Sequence, residues 1–206
     1  MIGMTHRSRT QRLVMLSASV VLIAGGVPAS TTAFAASSAP ASLHVTAMTG
    51  TPTVNWVETA DPPSGITAEL PGKATVRKTT VSVEGKAVDA RVYGLDTPDG
   101  AVGFAVHDMP GDQYPLEDNL QRVLESYMIN TAEPLTSSNV RKMTFDGRPA
   151  LDARLTSETA SEPLTGFIRL IADDKHLVQA LVLGPEANEK ALKAMQDRLL
   201  ASLRIP

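Results

Sequence analysis

Tight turns separate most pairs of neighbouring β-rich runs in this sequence, and they limit the fold to an antiparallel sheet. The strongest is Asp146-Gly147, between the runs 140–145 and 149–156, because Asp-Gly accepts the backbone angles of a short hairpin turn. Two more hairpins are predicted: residues 79–83 with 88–95 around Glu84-Gly85-Lys86, and 166–172 with 176–183 around Asp173-Asp174-Lys175. Parallel strand pairs would instead need long crossover connections.

Two further strands and two helices complete the predicted order. Residues 65–70 and 101–107 have the composition of short strands. Apolar residues recur every three to four positions over 115–129 and 185–202, which predicts two amphipathic helices. The runs 166–172 and 176–183 are apolar on both faces, as central strands of a covered sheet are. We therefore expect an α+β domain, an antiparallel β-sheet of about six to seven strands flanked by two main helices, with roughly three or four strands before the first helix.

The first 35 residues have the pattern of a secretory signal peptide. Three arginines precede an uncharged apolar stretch over 13–25, and Ala33-Phe34-Ala35 offers a cleavage site of small residues. The stretch is shorter than the roughly 20 residues of a membrane-spanning helix. We expect cleavage after Ala35 and secretion, with an uncleaved membrane anchor as the alternative. The chain has no cysteine, so a lipoprotein, a disulfide framework and thiolate metal sites are all excluded.

The mature chain is predicted to consist of a spacer and one acidic domain. Residues 36–55 are rich in Ala, Ser, Thr and Pro and have no charged side chain unless His44 is protonated. They are predicted to form a flexible spacer, with an edge strand at 43–47 as the alternative. Residues 56–206 form the domain. Loss of the three signal arginines leaves 19 − 3 = 16 basic against 22 acidic side chains, a net charge of −6. This balance argues against nucleic acid as a partner, and no stable membrane span is expected after cleavage.

Three segments of the chain carry a resemblance to a known family. They are Gly-Ile-Thr-Ala-Glu-Leu-Pro-Gly at 65–72, Phe-Asp-Gly-Arg-Pro-Ala-Leu at 145–151, and Leu-Ala-Ser-Leu-Arg-Ile at 200–205. With the element order, they make residues 56–206 resemble the PsbP-like (Mog/PsbP) fold, as found in exported actinobacterial proteins of LpqN type. The resemblance implies an antiparallel sheet sandwiched by helices (a PsbP-like α/β/α sandwich) and a non-enzymatic binding or assembly-supporting role. The chain departs from the mycobacterial lipoproteins because it lacks the acylated cysteine and is poor in aromatic residues.

No residue pattern specifies a catalytic or metal site, and no cofactor is expected. A serine hydrolase of the common type needs a Gly-x-Ser-x-Gly turn between a strand and a helix, whereas Ser64 precedes a strand. His44, His107 and His176 lack the spacing of a zinc site. We expect His107 to be partly exposed at a strand end, so that His107→Ala changes little, with metal ligation as the alternative. His176 is expected to be solvated.

Paired carboxylates and scattered glycines have structural interpretations. Glu117-Asp118 suits the positive end of a helix dipole, and Asp173-Asp174 suits a turn. Asp96, Asp99 and Gly100 lack the spacing of a calcium loop, and Gly94, Gly100 and Gly103 lack that of a phosphate loop. The strip of Asp89, Arg91 and Tyr93 is interpreted as a solvated sheet face with cross-strand ion pairs. A ligand-facing surface is the alternative for this strip.

The sequence therefore favours a secreted, monomeric, non-catalytic domain that binds a partner or supports an assembly at or outside the cell envelope. The partner expected is an envelope or extracellular protein or a small apolar ligand, and the ligand-binding residues are not specified by the sequence. An extracellular hydrolase, with a site that only the fold assembles, is the alternative. A purely structural factor of an envelope complex is a third hypothesis.

Overall fold

A computed structural model describes residues 54–206 apart from residue 84 and the segments 111–114 and 158–161. The predicted signal peptide, its cleavage site, the alternative strand at 43–47 and all but the last two residues of the predicted spacer lie outside the described residues. They stay predictions.

Seven strands form one antiparallel sheet, as the turns predicted. In chain order they are β3 (Thr75–Val83), β4 (Lys86–Asp96), β5 (Ala101–His107), β6 (Thr136–Phe145), β7 (Arg148–Ser157), β8 (Leu164–Ala172) and β9 (Leu177–Pro185). Their order across the sheet is β3-β4-β5-β9-β8-β7-β6. The two strands that are apolar on both faces, β8 and β9, lie at the centre of the sheet, which confirms that prediction. At the Asp-Gly hairpin, Asp146 and Gly147 have φ values of 47° and 80°, as such a turn requires.

A separate hairpin precedes the sheet. The predicted strand at 65–70 is β2 (Ile66–Leu70), and it pairs with β1 (Val57–Asp61), which the sequence did not predict. Within the described residues, five strands thus precede the first helix, where three or four were expected. The sequence of β1, Val-Glu-Thr-Ala-Asp, contains a single branched apolar residue, so neither alternation nor composition marks it as a strand.

The two predicted helices are present with shifted bounds. The first, α1, spans Leu116–Thr131 and starts after Pro115. At its end the N–H of Ala132, at φ 58°, donates to the Met128 carbonyl, which is a common helix stop. The second, α2, spans Glu189–Ser202 and follows a turn of 3-10 helix at Glu186–Asn188. Among the described residues, no helix combines the length and the apolar character that a membrane crossing needs.

The helices cover opposite faces of the sheet. Successive side chains of a strand point to opposite sides, and each helix packs on one of the two sets. On one face, Leu192 and Leu199 of α2 pack in a cluster with Phe104 of β5 and Val182 of β9. We call this the α2 face; the β1–β2 hairpin covers another part of it through buried residues such as Ile66. On the other face, Leu120 of α1 packs with residues of β7 and β8. The result is a layered α+β fold, as predicted.

Candidate functional site

A cleft of about 460 Å³ lies on the α2 face, beside α2 and the strands β6, β7 and β8. Helix α2 packs mainly on β9 and β8 of the sheet and on β2 of the hairpin, so the outer strands β7 and β6 leave a gap next to it. We call this gap the arginine cleft. It is lined by Asn139, Val140, Arg141, Asp152, Ala153, Arg154, Phe167, Ile168, Arg169, Lys193, Gln196, Asp197 and Leu200.

Two ion pairs, each with two short N–O contacts, build the cleft. Arg169 of β8 faces Asp152 of β7 in the strand register, and its Nε and Nη2 donate to the two carboxylate oxygens at 2.5 and 2.7 Å. Arg154 of β7 reaches across to Glu189 at the start of α2, with Nη1–Oε1 and Nη2–Oε2 distances of 2.9 Å. Paired contacts between planar groups fix orientation as well as distance. The first pair therefore orders the floor of the cleft, and the second ties the sheet to the helix.

A β-bulge shapes the outer wall. The register of β6 against β7 shifts between Ser138 and Arg141, and Asn139 within the bulge has a φ of 51°. Bulges re-aim side chains and often occur beside binding sites. Here Asn139 and Arg141 line the cleft. The Arg141 side chain is 75% exposed and lies 3.7 Å from Asp152, through Nη2 and Oδ2. That oxygen already accepts the shorter bond from Arg169, so Arg141 is held only weakly.

Gln196 gives the inner wall an acceptor without a donor. Gln196 is 3% exposed, and its side-chain Oε1 has no hydrogen-bond partner. The Nε2 atom of the same amide donates to the Ala180 carbonyl at 3.5 Å. A buried polar atom without a partner is unfavourable and uncommon in folded proteins. This oxygen is itself fully buried, so it is not part of the surface that the cleft offers to a ligand.

The cleft carries an excess of positive charge in an acidic chain. Four cations, Arg141, Arg154, Arg169 and Lys193, line it. Three carboxylates balance them: Asp152, Asp197 and the rim residue Glu189. The local balance is thus 4 − 3 = +1, whereas the whole chain has a formal charge of −3. Among the described residues, those that line the cleft include no serine, threonine, cysteine, tyrosine or histidine. The charged lining suits the binding of a polar or anionic ligand.

A second hollow, on the opposite face of the sheet, which α1 covers in part, is apolar and small. It lies around Val92, Gly103 and Leu181 and measures about 40 Å³. Organic ligands generally occupy sites of a few hundred Å³, so this hollow has room for little more than a water molecule.

The strip of Asp89, Arg91 and Tyr93 lies outside the arginine cleft, and its interpretation as a solvated face was wrong for two of its members. Arg91 and Tyr93 are 5% and 4% exposed. Arg91 Nε lies 2.6 Å from Asp61 Oδ1, and its Nη1 lies 2.6 Å from Asp108 Oδ2. The Tyr93 hydroxyl donates to the same Asp61 oxygen at 2.6 Å. The unpredicted strand β1 supplies Asp61 and brings cover over this part of the sheet.

The buried Asp61 is stabilised as a carboxylate. Burial alone would raise its pKa, but hydrogen bonds from Arg91, Ser64 and Tyr93 outweigh burial and leave the pKa below its ordinary value. Ser64, which the sequence analysis rejected as a nucleophile, donates a hydrogen bond from its hydroxyl to Asp61 Oδ2 at 2.5 Å. Its role in the structure is to close the turn between β1 and β2.

Of the two described histidines, His107 is buried and His176 is partly buried. His107 is 5% exposed and its Nε2 has no partner, so the expectation of a partly exposed residue was wrong. Burial, supported by the nearby Arg91 charge and opposed by Asp108, lowers the pKa of His107 to about 4. His176, also predicted to be solvated, has a side chain only 16% exposed, between Asp108 and Asp173 at 3.7 and 3.6 Å. His44 lies outside the described residues.

The remaining candidates have the structural roles that the sequence suggested. Glu117 and Asp118 stand in the first turn of α1, and Glu117 also pairs with Lys142 of β6. Asp173 sits in its turn and pairs with Arg148, with an Nε–Oδ1 distance of 2.7 Å. Gly94 and Gly103 face each other in the sheet, and Gly100 belongs to the turn before β5. No three acidic or histidine side chains of the described residues converge as a metal site would require.

Sequence reasoning missed the arginine cleft altogether. Its residues come from β6, β7, β8 and α2 and are separated by up to about 60 positions in the chain. One local clue exists: Asp152 and Arg154 alternate along a strand whose other face is apolar, and Phe167 and Arg169 do the same on the next strand. Charged residues on the covered side of two adjacent strands indicate a polar cavity or an ion-pair network.

Comparisons with known proteins concern the fold. No protein-family model and no curated protein matches the chain. The solution structure of cyanobacterial PsbP (CyanoP) from Synechocystis sp. PCC 6803 is similar, with a TM-score of 0.55 and 14% identity, over 78% of this chain and 98% of that one.

Two further structures share less of the architecture. LpqN, "involved in cell envelope biogenesis of Mycobacterium tuberculosis", has a TM-score of 0.40 and 13% identity, over 74% of this chain and 91% of that one. PA94 from Pseudomonas aeruginosa, a putative regulator, has a TM-score of 0.36 and 14% identity, over 68% of this chain and 94% of that one.

Proposed function

We propose that this chain, which has a PsbP-like fold, is an exported, non-catalytic domain that binds a small polar ligand in the arginine cleft at or outside the cell envelope. The observation that carries the proposal is the cleft itself. Its volume of about 460 Å³ lies in the range of small-molecule sites, roughly 300–1,000 Å³. Export is supported by the signal-like pattern of the first 35 residues.

The arrangement of the cleft favours binding over catalysis. Acid–base catalysis needs a carboxyl or imidazole group that is free to exchange a proton with the substrate. Here Asp152 and Glu189 each engage a guanidinium through two contacts. Groups held in this way orient a site and complement charge, which are the tasks of a binding module.

The polarity of the cleft also decides between ligand types. A small apolar ligand was one of the partners expected from the sequence. The apolar hollow around Val92 is too small for such a ligand, at about 40 Å³. The larger site is lined by charges and by an amide, and an apolar molecule would desolvate these groups without replacing their hydrogen bonds. We therefore favour a polar ligand.

The test is uptake of small molecules by the full-length chain. In equilibrium dialysis against a low-molecular-mass extract of the producer's envelope, mass spectrometry should find a compound enriched on the protein side. Leu200→Trp places a large ring at the cleft wall and should abolish the enrichment. Ala201→Trp adds the same ring at the neighbouring position, which is exposed and outside the cleft lining, and should preserve it. No enrichment, or equal enrichment by all three proteins, would contradict the proposal.

A further inference from the structure

We propose that the free edge of β3 binds an extended acidic segment of a partner protein, which joins the sheet as an additional strand. This surface lies at the opposite edge of the sheet from β6, which lines the arginine cleft, and it goes beyond the ligand-binding function proposed above. Three features carry the proposal: the unprotected edge, a group of unpaired cations along it, and the distribution of these cations over both faces of the sheet.

The two edges of the seven-stranded sheet differ in how they are protected. At one edge, the bulge in β6 between Ser138 and Arg141 interrupts the ladder, and bulges of this kind discourage the addition of another strand. At the other edge, β3 pairs with β4 along its whole length without a register shift and contains neither proline nor glycine. Among the described residues its outer side has no strand partner, so its outward N–H and C=O groups can pair with another chain.

The exposed part of this edge is the segment 75–80, Thr-Val-Arg-Lys-Thr-Thr, which we call the β3 edge. All of its residues are exposed except the half-buried Thr79, whereas Val81 and Val83 beyond it are buried. Threonine and valine favour extended backbone, and Val76, which is 53% exposed, offers an apolar contact. The segment is long enough to pair with a short strand.

Cations without ion-pair partners collect along the β3 edge. Arg77 and Lys78 belong to it, Lys73 precedes β3, and Lys86 stands at the far end of the β3–β4 hairpin. All of them are exposed, and none forms an ion pair with a residue that the structure describes. Asp89 of β4 instead accepts a hydrogen bond from a threonine hydroxyl of β3 at 2.9 Å. The chain therefore leaves positive charge uncompensated here, which favours an acidic partner.

The positions of Arg77 and Lys78 select an added strand as the occupant. Adjacent residues of a strand point to opposite faces, so these two side chains lie on different sides of the sheet. A strand paired with the β3 edge presents its own side chains to both sides, and each cation can then face a carboxylate across the strand pair. A flat anionic membrane would meet only one of the two faces. A second copy of this chain, paired antiparallel about the centre of the segment, would set Arg77 of each copy opposite Lys78 of the other, which is repulsive.

Isothermal titration of the full-length chain with capped peptides tests the proposal. The acidic probe is Thr-Val-Glu-Glu-Val-Thr, and the basic probe has lysine in place of both glutamates. A third probe, Thr-Pro-Glu-Glu-Pro-Thr, keeps the charge, but in either orientation one proline removes an N–H that strand pairing needs. We expect the acidic probe to bind at least roughly tenfold more tightly than the basic probe, because two attractive cross-strand pairs become repulsive. The proline probe should bind no better than the basic probe.

Charge reversal supplies the matched variants. Arg77→Glu combined with Lys78→Glu should lose the acidic probe and bind the basic probe instead, a change of preference that a merely unfolded chain would not show. Lys175→Glu combined with Lys190→Glu makes the same change in net charge at exposed positions outside the β3 edge, and it should keep the preference for the acidic probe.

Four results would overturn the proposal. They are no binding of the acidic probe, equal binding of the acidic and proline probes, and equal effects of the two double variants. The fourth is binding of phosphatidylglycerol vesicles without binding of the acidic probe, which would assign the cations to a lipid surface.

Discussion

Acid should destabilise this protein through His107, and the size of the effect follows from its burial. The pKa of His107 falls from 6.5 to about 4 in the folded chain, so the unfolded chain binds the proton first. Stability from the neutral imidazole is thus present above pH 6.5 and is lost as the pH falls towards 4. With these two values, linkage gives a loss of about 2 kcal/mol by pH 5 and about 3 kcal/mol by pH 4.

His107→Leu removes the titrating group while keeping a side chain of similar size in the buried position. Urea unfolding of both proteins at pH 7 and pH 5 gives four free energies, and the difference of differences cancels the titrating groups that do not interact with His107. We expect the variant to gain about 2 kcal/mol relative to the wild type between these pH values. Parallel pH profiles would refute the reasoning, because they would mean that folded and unfolded chains bind this proton alike. The burial also implies that His107→Ala costs stability, contrary to the expectation from sequence.

Two other predictions concern the buried ion pair and the N-terminus. Asp61→Ala leaves the Arg91 guanidinium buried with only the half-exposed Asp108 as a partner, and it should lower the free energy of unfolding in urea by about 3 kcal/mol. The control is Asp89→Ala, an exposed position on the same strand as Arg91, which should cost less than about 0.5 kcal/mol. Equal costs for the two variants would contradict the role of Asp61. N-terminal sequencing of protein from the culture medium should begin at Ala36; a chain that starts at Met1 would refute cleavage.

The sheet and the helices could be predicted because their determinants are local. The Asp146-Gly147 turn and the apolar character of residues 166–183 depend only on neighbours in the chain, and the structure confirms the hairpins and the central strands. Strand β1 could not be predicted in this way, because its pairing with β2 and its packing on the α2 face stabilise a segment with weak strand propensity.

Errors about polar residues share the same origin. Alternation along β4 places Arg91 and Tyr93 on one side of the strand, and polar residues usually mark the solvated side. The β1–β2 hairpin covers that side and supplies the Asp61 carboxylate that both residues bind. The arginine cleft escaped prediction for a related reason: the bulge in β6 and the position of α2 bring its walls together. Such relations between distant segments are not encoded in local periodicity.

The central claim, that the arginine cleft is the binding site, is tested most directly by amide NMR spectra of the isotope-labelled full-length chain titrated with the envelope extract. We predict that shifted resonances concentrate in β6, β7, β8 and α2, around Arg141, Arg169 and Gln196, and that Leu200→Trp suppresses them. Unchanged spectra, or shifts centred on the apolar hollow around Val92 or on the Asp61 ion pair, would contradict the claim.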